Sequence, residues 1–347
     1  MADAAAPGLA APPPTDPSAK QPREEHADNP RLGVAWLVFG LAIMSIQDVI
    51  MKLLAGDYAV HQMVFARGLV ALPILLVIVR FDGGWGRLRP KRPGWVWLRG
   101  LLGLACYTAY YIALAVLPLA EAVTLFFANP LIVTALAAPV LGERVGWRRW
   151  GAVLTGFAGV ALILQPGARS LEPAMLLGLA AAAFYAASIL ITRSLSRTEA
   201  GSTMAFHMML VFFLGSIASG LTIGDGRFAA DGADGAAGSF DYLLRAWVWP
   251  TPWDAALMAA TGVIGGIGFY ALTQAYRLAP SSSVAPFEFT MLPWALVWGF
   301  VFFAETPGAG ALAGMALVIG AGLYILRRED AGGAPVVRGP KPWRFRA

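Results

Sequence analysis

From Gly33 onward the chain divides into ten apolar stretches, at about 33 to 55, 58 to 79, 95 to 116, 120 to 141, 147 to 165, 173 to 193, 202 to 223, 254 to 277, 282 to 304 and 308 to 326. Most are close to the ~20 residues that an α-helix needs to cross a bilayer, and too long for barrel strands. In hydrocarbon every backbone N–H and C=O must be bonded within the protein, so the expected fold is an all-α membrane protein of ten transmembrane helices. Composition agrees: 58% of the residues are hydrophobic and 14% charged, against ~45–50% apolar in ordinary soluble domains.

The flanks read differently. Residues 1–32 are rich in Ala and Pro, mix acids with bases and lack the apolar core of a signal peptide, which predicts a disordered cytoplasmic tail. Residues 327–347 form a basic tail. The net charge of +5 is concentrated where a membrane protein puts it. Arg80, Arg87, Arg89, Lys91 and Arg92 follow the second stretch, Arg144, Arg148 and Arg149 the fourth, Arg193 and Arg197 the sixth. Alternating spans put all of these on one side with both tails, whereas the long loop 225–253 carries Asp225, Asp231, Asp234 and Asp241. The positive-inside rule then makes both termini cytoplasmic, and nucleic acid is excluded as a partner. The Trp-rich "AWVWPTPW" ending that loop reads as an interfacial anchor.

The chain also repeats itself. Gly100, Gly103, Ala109, Ala113 and Pro118 recur as Gly262, Gly265, Ala271, Ala275 and Pro280. Further on, Glu143 matches Glu305 and Pro130 matches Pro293. Five spans per half is an odd number, so the two repeats, 33–166 and 173–326, have opposite orientations in the membrane. Inverted repeats typify secondary transporters, whose site lies near the midplane between the halves.

The run "YYIALAVLPLAEAVTLFFANPLIVTALAAPVLGERVGW" and its echo "YALTQAYRLAPSSSVAPFEFTMLPWALVWGFVFFAETPG" resemble the signature of EamA-type members of the drug/metabolite transporter superfamily. The resemblance implies ten helices in two EamA repeats around a central cavity, in a bacterial inner membrane. "QDVIMK" and "PFEFT" look most like a subgroup containing riboflavin importers and S-adenosylmethionine carriers.

Ionisable residues inside the spans are the candidate site. A charge at the bilayer centre costs ~2.5–3.5 kcal/mol even on the lenient insertion scale. Asp48 therefore faces a cavity or a partner. On a helix Leu41, Ser45, Asp48 and Lys52 share a stripe, with Gln47 pointing elsewhere. Lys52 has two blander roles, an i to i+4 pair with Asp48 or snorkelling to the interface. Arg67 sits deep in the second span, as a clamp on a carboxylate such as Asp48 or as a ligand for an anionic or carbonyl-rich substrate. Glu288 is the lone deep acid of the second half. His61, Gln62 and His207 read as interhelical hydrogen bonders.

Tyr107, Tyr110 and Tyr111 share a face of the third span with Gly100 and Gly103, and either bound a pocket or simply pack. Phe126, Phe127, Tyr185, Phe269, Tyr270, Phe287 and Trp298 add rings, with Trp294 the foremost. The substrate-binding or coupling set is thus Asp48, Lys52, Arg67, Tyr107, Tyr111, Glu288 and Trp294, and the gating or helix-end set Pro130, Glu143, Pro293 and Glu305.

The expected function is secondary transport of a small organic metabolite, with import of riboflavin or a similar heteroaromatic compound the first choice and export of amino acids or drug-like compounds the second. No cofactor, metal site or nucleotide loop is expected: the one cysteine and three scattered histidines make no metal cluster, and no GxxxxGK occurs. A membrane-embedded enzyme would need acids, histidines or a nucleophile clustered near one interface, and none are. The partners are the bilayer and a small metabolite, with a second copy of the chain compatible.

Overall fold

The computed structural model describes residues 30–141, 147–164, 173–195, 198–228, 241–278 and 285–331. All regular structure among them is helical. The helices are α1 Pro30–Leu54, α2 Val60–Phe81, α3 Pro93–Val116, α4 Leu119–Phe126, α5 Asn129–Leu141, α6 Trp147–Leu164, α7 Pro173–Leu195, α8 Gly201–Ile223, the short α9 Asp241–Leu244, α10 Pro252–Leu278, α11 Met291–Phe303 and α12 Ala309–Ala331. Short 3-10 segments cover Trp85–Leu88 and Ala285–Thr290. Five stretches are long and apolar enough to span a bilayer: Arg31–Leu54, Val60–Phe81, Pro93–Val116, Pro173–Thr192 and Gly201–Ile223. Shorter apolar stretches occur at Leu119–Val133, Trp150–Ile163, Phe287–Phe303 and Ala309–Tyr324.

Two of the expected spans are interrupted. The fourth is α4 followed by α5, broken at Phe127 and Ala128. The cause is Pro130, which has no N–H to give the carbonyl of Phe126 four residues back. Asn129 Nδ2 donates to that carbonyl instead, at 2.9 Å. The ninth span begins as the 3-10 turn Ala285–Thr290 and becomes α-helical at Met291, two residues before Pro293.

Helices pair closely, and in two of the pairs glycine lies against glycine, Gly40 with Gly268 and Gly159 with Gly314. α1 packs along α10, α3 along α7, α6 along α12 and α2 along α8, with α2 also against α10 and α3 against α8. Between α6 and α12 the approach is backbone to backbone: a Cβ at Gly159 would lie 2.7 Å from the Gly314 carbonyl oxygen. Without a hydrophobic drive between helices in lipid, such contact is what holds them together. One large apolar core unites residues from α1 to α12.

Candidate functional site

The polar centre lies between α1, α2 and α3, all three of which bring charged or hydroxyl groups to one place. Asp48, 4% exposed, accepts hydrogen bonds from the Tyr110 and Tyr111 hydroxyls, both at 2.9 Å. Arg67 on α2 is also buried; its Nη1 donates to the Tyr107 hydroxyl at 2.7 Å and its guanidinium lies 5.0 Å from the centre of that ring. Arg67 and Asp48 are therefore joined through tyrosines. Tyr107 and Tyr111 rings are 4.2 Å apart, one helical turn separating them on α3.

Gln47 completes the link. With its amide oxygen toward the guanidinium it accepts from Arg67 Nη1 at 3.1 Å and donates to the Thr261 carbonyl on α10 at 3.2 Å. The opposite orientation would set two donors face to face. Its oxygen also lies 2.8 Å from the Tyr111 hydroxyl. Tyr111 has one proton and two acceptors, of which an ionised carboxylate is the stronger. The sequence stripe had turned Gln47 away from Asp48; burial on both sides of α1, against α3 and against α10, brings both residues into one network. Arg67 Nε is buried with no hydrogen-bond partner among the described residues, and the guanidinium rests on α10 at Gly265, where a Cβ would lie 2.8 Å from Nη2.

Lys52 is elsewhere. It does not pair with Asp48; its Nζ lies 2.7 Å from Glu305 Oε1, also donates to the Leu117 carbonyl, and sits 5.1 Å from the Phe303 ring centre. Glu305 Oε2 in turn accepts from the Leu119 N–H at 2.7 Å, capping the start of α4, where a negative charge is favoured. Ala304 just before it takes a left-handed conformation (φ 52°) that ends α11 and starts the turn carrying Glu305. Lys52 and Glu305 thus tie α1 to the α11–α12 turn at one end of the bundle.

Trp294 stacks on Trp298 at 5.7 Å, and it is Trp298 whose indole reaches α1, donating to Ser45 Oγ at 2.8 Å. Glu288 is half-buried in the 3-10 turn before α11. Pro130 and Pro293 stand beside the two interruptions. Glu143 lies outside the described residues, as do the side chains of Phe269 and Tyr270.

Rings connect the buried acid to a more open region. Tyr110 packs on Phe126 at 5.1 Å and Phe126 on Tyr185 at 5.0 Å. Tyr185 is 39% exposed although Ala174, Gly178, Ala181, Ala182 and Ser188, on the same face of α7, are buried. Its exposure is therefore toward the interior of the bundle and not toward lipid. Beside Asp48 the side chains of Ser45, Leu119, Val123, Met291 and Ala295 close together and leave no room even for a water molecule, whereas metabolite pockets typically enclose ~300–1,000 Å³. A ligand reaches Asp48 only if helices separate.

Among the described residues no three His, Cys, Asp or Glu side chains group as metal ligands. Tyr110 and Gln47 are the members of the network that sequence reasoning left out of its site. The face shared by Tyr107, Tyr110 and Tyr111 is the available signal for the first; for Gln47 it is an amide inside an apolar span, off the stripe of α1 that carries Asp48.

Comparison with known proteins adds the following. A family model described as the EamA-like transporter family matches residues 31–165. A protein named riboflavin transporter from Rhizobium johnstonii is 31% identical over 305 residues, covering 86% of this chain and 92% of its own. A protein named S-adenosylmethionine uptake transporter from Rickettsia bellii is 26% identical over 298 residues, covering 86% and 94%. A solved crystal structure, 18% identical, superposes with a TM-score of 0.56 over 86% of this chain and 97% of that one, which bears on the fold alone.

Proposed function

The chain belongs to the EamA-like transporter family, and from that premise we propose that it imports riboflavin or a similar heteroaromatic metabolite by alternating access. It is a multi-pass membrane transporter of small metabolites and not an enzyme. The proposed architecture is ten spans in two inverted five-helix repeats, residues 33–166 and 173–326, with both tails cytoplasmic. The pattern of helix packing supports it: exchanging the first span with the sixth and the third with the eighth turns the α1–α10 pair into the α7–α3 pair, while the α2–α8 and α6–α12 pairs map onto themselves. The interruptions near Pro130 and Pro293 also fall at equivalent places.

The observation that carries the binding site is the network Asp48, Tyr110, Tyr111, Gln47, Arg67 and Tyr107. A desolvated acid and base held apart by tyrosines are two anchor points of opposite sign, with rings between them on which a flat ligand stacks. The Tyr110, Phe126 and Tyr185 rings extend that surface toward the open region, near the half-buried Glu288. Trp294 acts through Trp298 in this reading. Lys52 and Glu305 are the gate at the end where α4 begins, closed here. Import of riboflavin rests on the relative of that name and on the ring-rich lining.

A thermal-shift screen of the purified protein with riboflavin, S-adenosylmethionine and amino acids tests the substrate. A ligand at a hundred times its Kd stabilises by ~2.7 kcal/mol, a readily measured shift. Riboflavin should raise the transition temperature and accumulate in reconstituted vesicles. A shift with amino acids alone, or with no compound, would overturn the choice.

A further inference from the structure

The segment after the short helix α9 does more than connect α8 to α10. Residues 241–251 lie across the turn between α1 and α2, fastened at several points. Gln62, in the first turn of α2, uses both ends of its amide on one residue: Nε2 donates to the Val248 carbonyl at 2.5 Å and Oε1 accepts from the Val248 N–H at 3.2 Å. His61 beside it lies 3.0 Å from the Leu243 carbonyl through Nε2, while Nδ1 accepts from the Trp247 indole N–H. Those two bonds require the neutral ring with its proton on Nε2. The Trp247 ring also stacks on His61 at 5.8 Å and packs against Phe65 at 5.2 Å.

Two further ties reach the neighbouring helices. Arg245 Nη1 donates to the Ala55 carbonyl at 3.0 Å and also to Gly56, at the end of α1 where a cation is favoured. Tyr58 donates to Asp254 Oδ2 at 2.7 Å, and the Thr251 N–H donates to the Tyr58 hydroxyl at 3.3 Å. α9 itself touches both α2 and α3, the helices that carry Arg67 and the three tyrosines, and Tyr242 on it is 4% exposed. On the outer side Trp249 is 98% exposed and Trp253 72%, suited to a membrane–water interface.

A surface loop ordinarily leaves its backbone groups to water. Here two consecutive polar side chains in the first turn of a largely apolar helix bond the backbone of the loop. We propose that residues 241–251 form a strap that holds this end of the bundle shut, with the Gln62–Val248 pair as its latch. The proposal rests on the transport reading, because alternating access requires this end to open at some stage. Opening by parting α2 from α3 breaks the seat of α9, and opening by parting the α1–α2 turn from α10 breaks the Tyr58 bonds to Asp254 and to Thr251, which is itself bonded to Asp254. Release of the strap is therefore part of opening at this end and not a separate event.

The test needs no substrate. In full-length protein carrying Cys106→Ser, a Ser45→Cys substitution places a thiol beside Asp48. Its labelling by a membrane-impermeant thiosulfonate is timed in spheroplasts and in inside-out vesicles, so that both faces are sampled. Gln62→Leu removes both latch bonds at similar volume, and Val248→Pro removes the loop N–H without touching a helix. Each should speed labelling from the strap side at least five-fold and leave the rate from the other face unchanged or lower. Equal rates from the strap side with and without either substitution would overturn the strap. Failure of every tested metabolite to bind or accumulate would overturn the substrate reading while the labelling rates still decide the strap.

Discussion

Lys52 Nζ and Glu305 Oε1 lie 2.7 Å apart, and each also holds backbone, Lys52 the Leu117 carbonyl and Glu305 the Leu119 N–H. One ion pair therefore joins the end of α1, the α3–α4 turn and the α11–α12 turn. Glu305→Gln keeps an oxygen for the Leu119 N–H and loses only the charge, whereas Glu305→Ala loses both. The alanine variant should be the less stable of the two, and a cycle with Lys52→Met should give a coupling of roughly 0.5–3 kcal/mol. Exchanging the charges, Lys52→Glu with Glu305→Lys, should fail to restore stability, because each new side chain would face a backbone group of the wrong kind. Chemical denaturation in detergent reads all three, and full rescue by the exchange would mean that the backbone bonds contribute nothing.

The Asp48 carboxylate accepts from two tyrosines at once. Asp48→Asn keeps the volume and at best one of the two acceptor contacts in its present form. Uptake into vesicles should fall at least ten-fold while the protein still purifies as a folded species. Tyr111→Phe removes the hydroxyl shared between Asp48 and Gln47 and should give an intermediate loss. Wild-type uptake by Asp48→Asn would take this carboxylate out of the cycle.

Gly265 faces the guanidinium of Arg67. A methyl group there must push aside the end of a flexible side chain and no backbone, so Gly265→Ala should fold, with a cost of about 1–3 kcal/mol, and lose transport by displacing Arg67. Arg67→Lys should not substitute for the wild type, since an ammonium lacks the planar guanidinium that lies against the Tyr107 ring and reaches Gly265 with Nη2 while Nη1 bonds Tyr107 and Gln47. Retained affinity in Arg67→Lys, measured by the ligand-induced thermal shift, would exclude that geometry as a requirement.

Gly314 and Gly159 offer a contrast with Gly151. A Cβ at Gly314 would lie 2.5 Å from the Gly159 carbonyl oxygen and 2.6 Å from Ile163 Cγ1, while nothing lies within 4 Å of one at Gly151. Backbone cannot step aside as a side chain can. Gly314→Ala should lower the thermal transition markedly, and Gly151→Ala, in a helix interior, should be neutral or stabilising by up to about 1 kcal/mol. Equal effects of the two would show that α6 and α12 do not pack as described.

The proposed orientation has its own check. Arg89→Cys, in the basic connection between α2 and α3, should react with impermeant reagents only from the cytoplasmic face, and Trp249→Cys only from the opposite one. Labelling of both from the same face would contradict inverted repeats.

The amino-acid sequence by itself determined the apolar spans, the sidedness pattern of the basic residues, the doubled motif and the presence of charges where lipid forbids them. These are properties of composition and period, and a helix in a bilayer has little freedom to violate them. Tertiary structure alone decided who meets whom. Lys52 and Asp48 share a stripe on α1, yet one goes to Glu305 and the other to tyrosines of α3, because a stripe fixes direction around one helix and not what stands opposite at each height. Gln47 joined the site because α1 is packed on two sides. His61 and Gln62 were legible as polar residues in an apolar helix, but their partners are backbone groups of a loop, which carry no signature in side-chain identity. The breaks of α4 and α11 lay between these cases: the prolines were visible, and only the folded chain shows that Asn129 takes the carbonyl that Pro130 leaves unbonded.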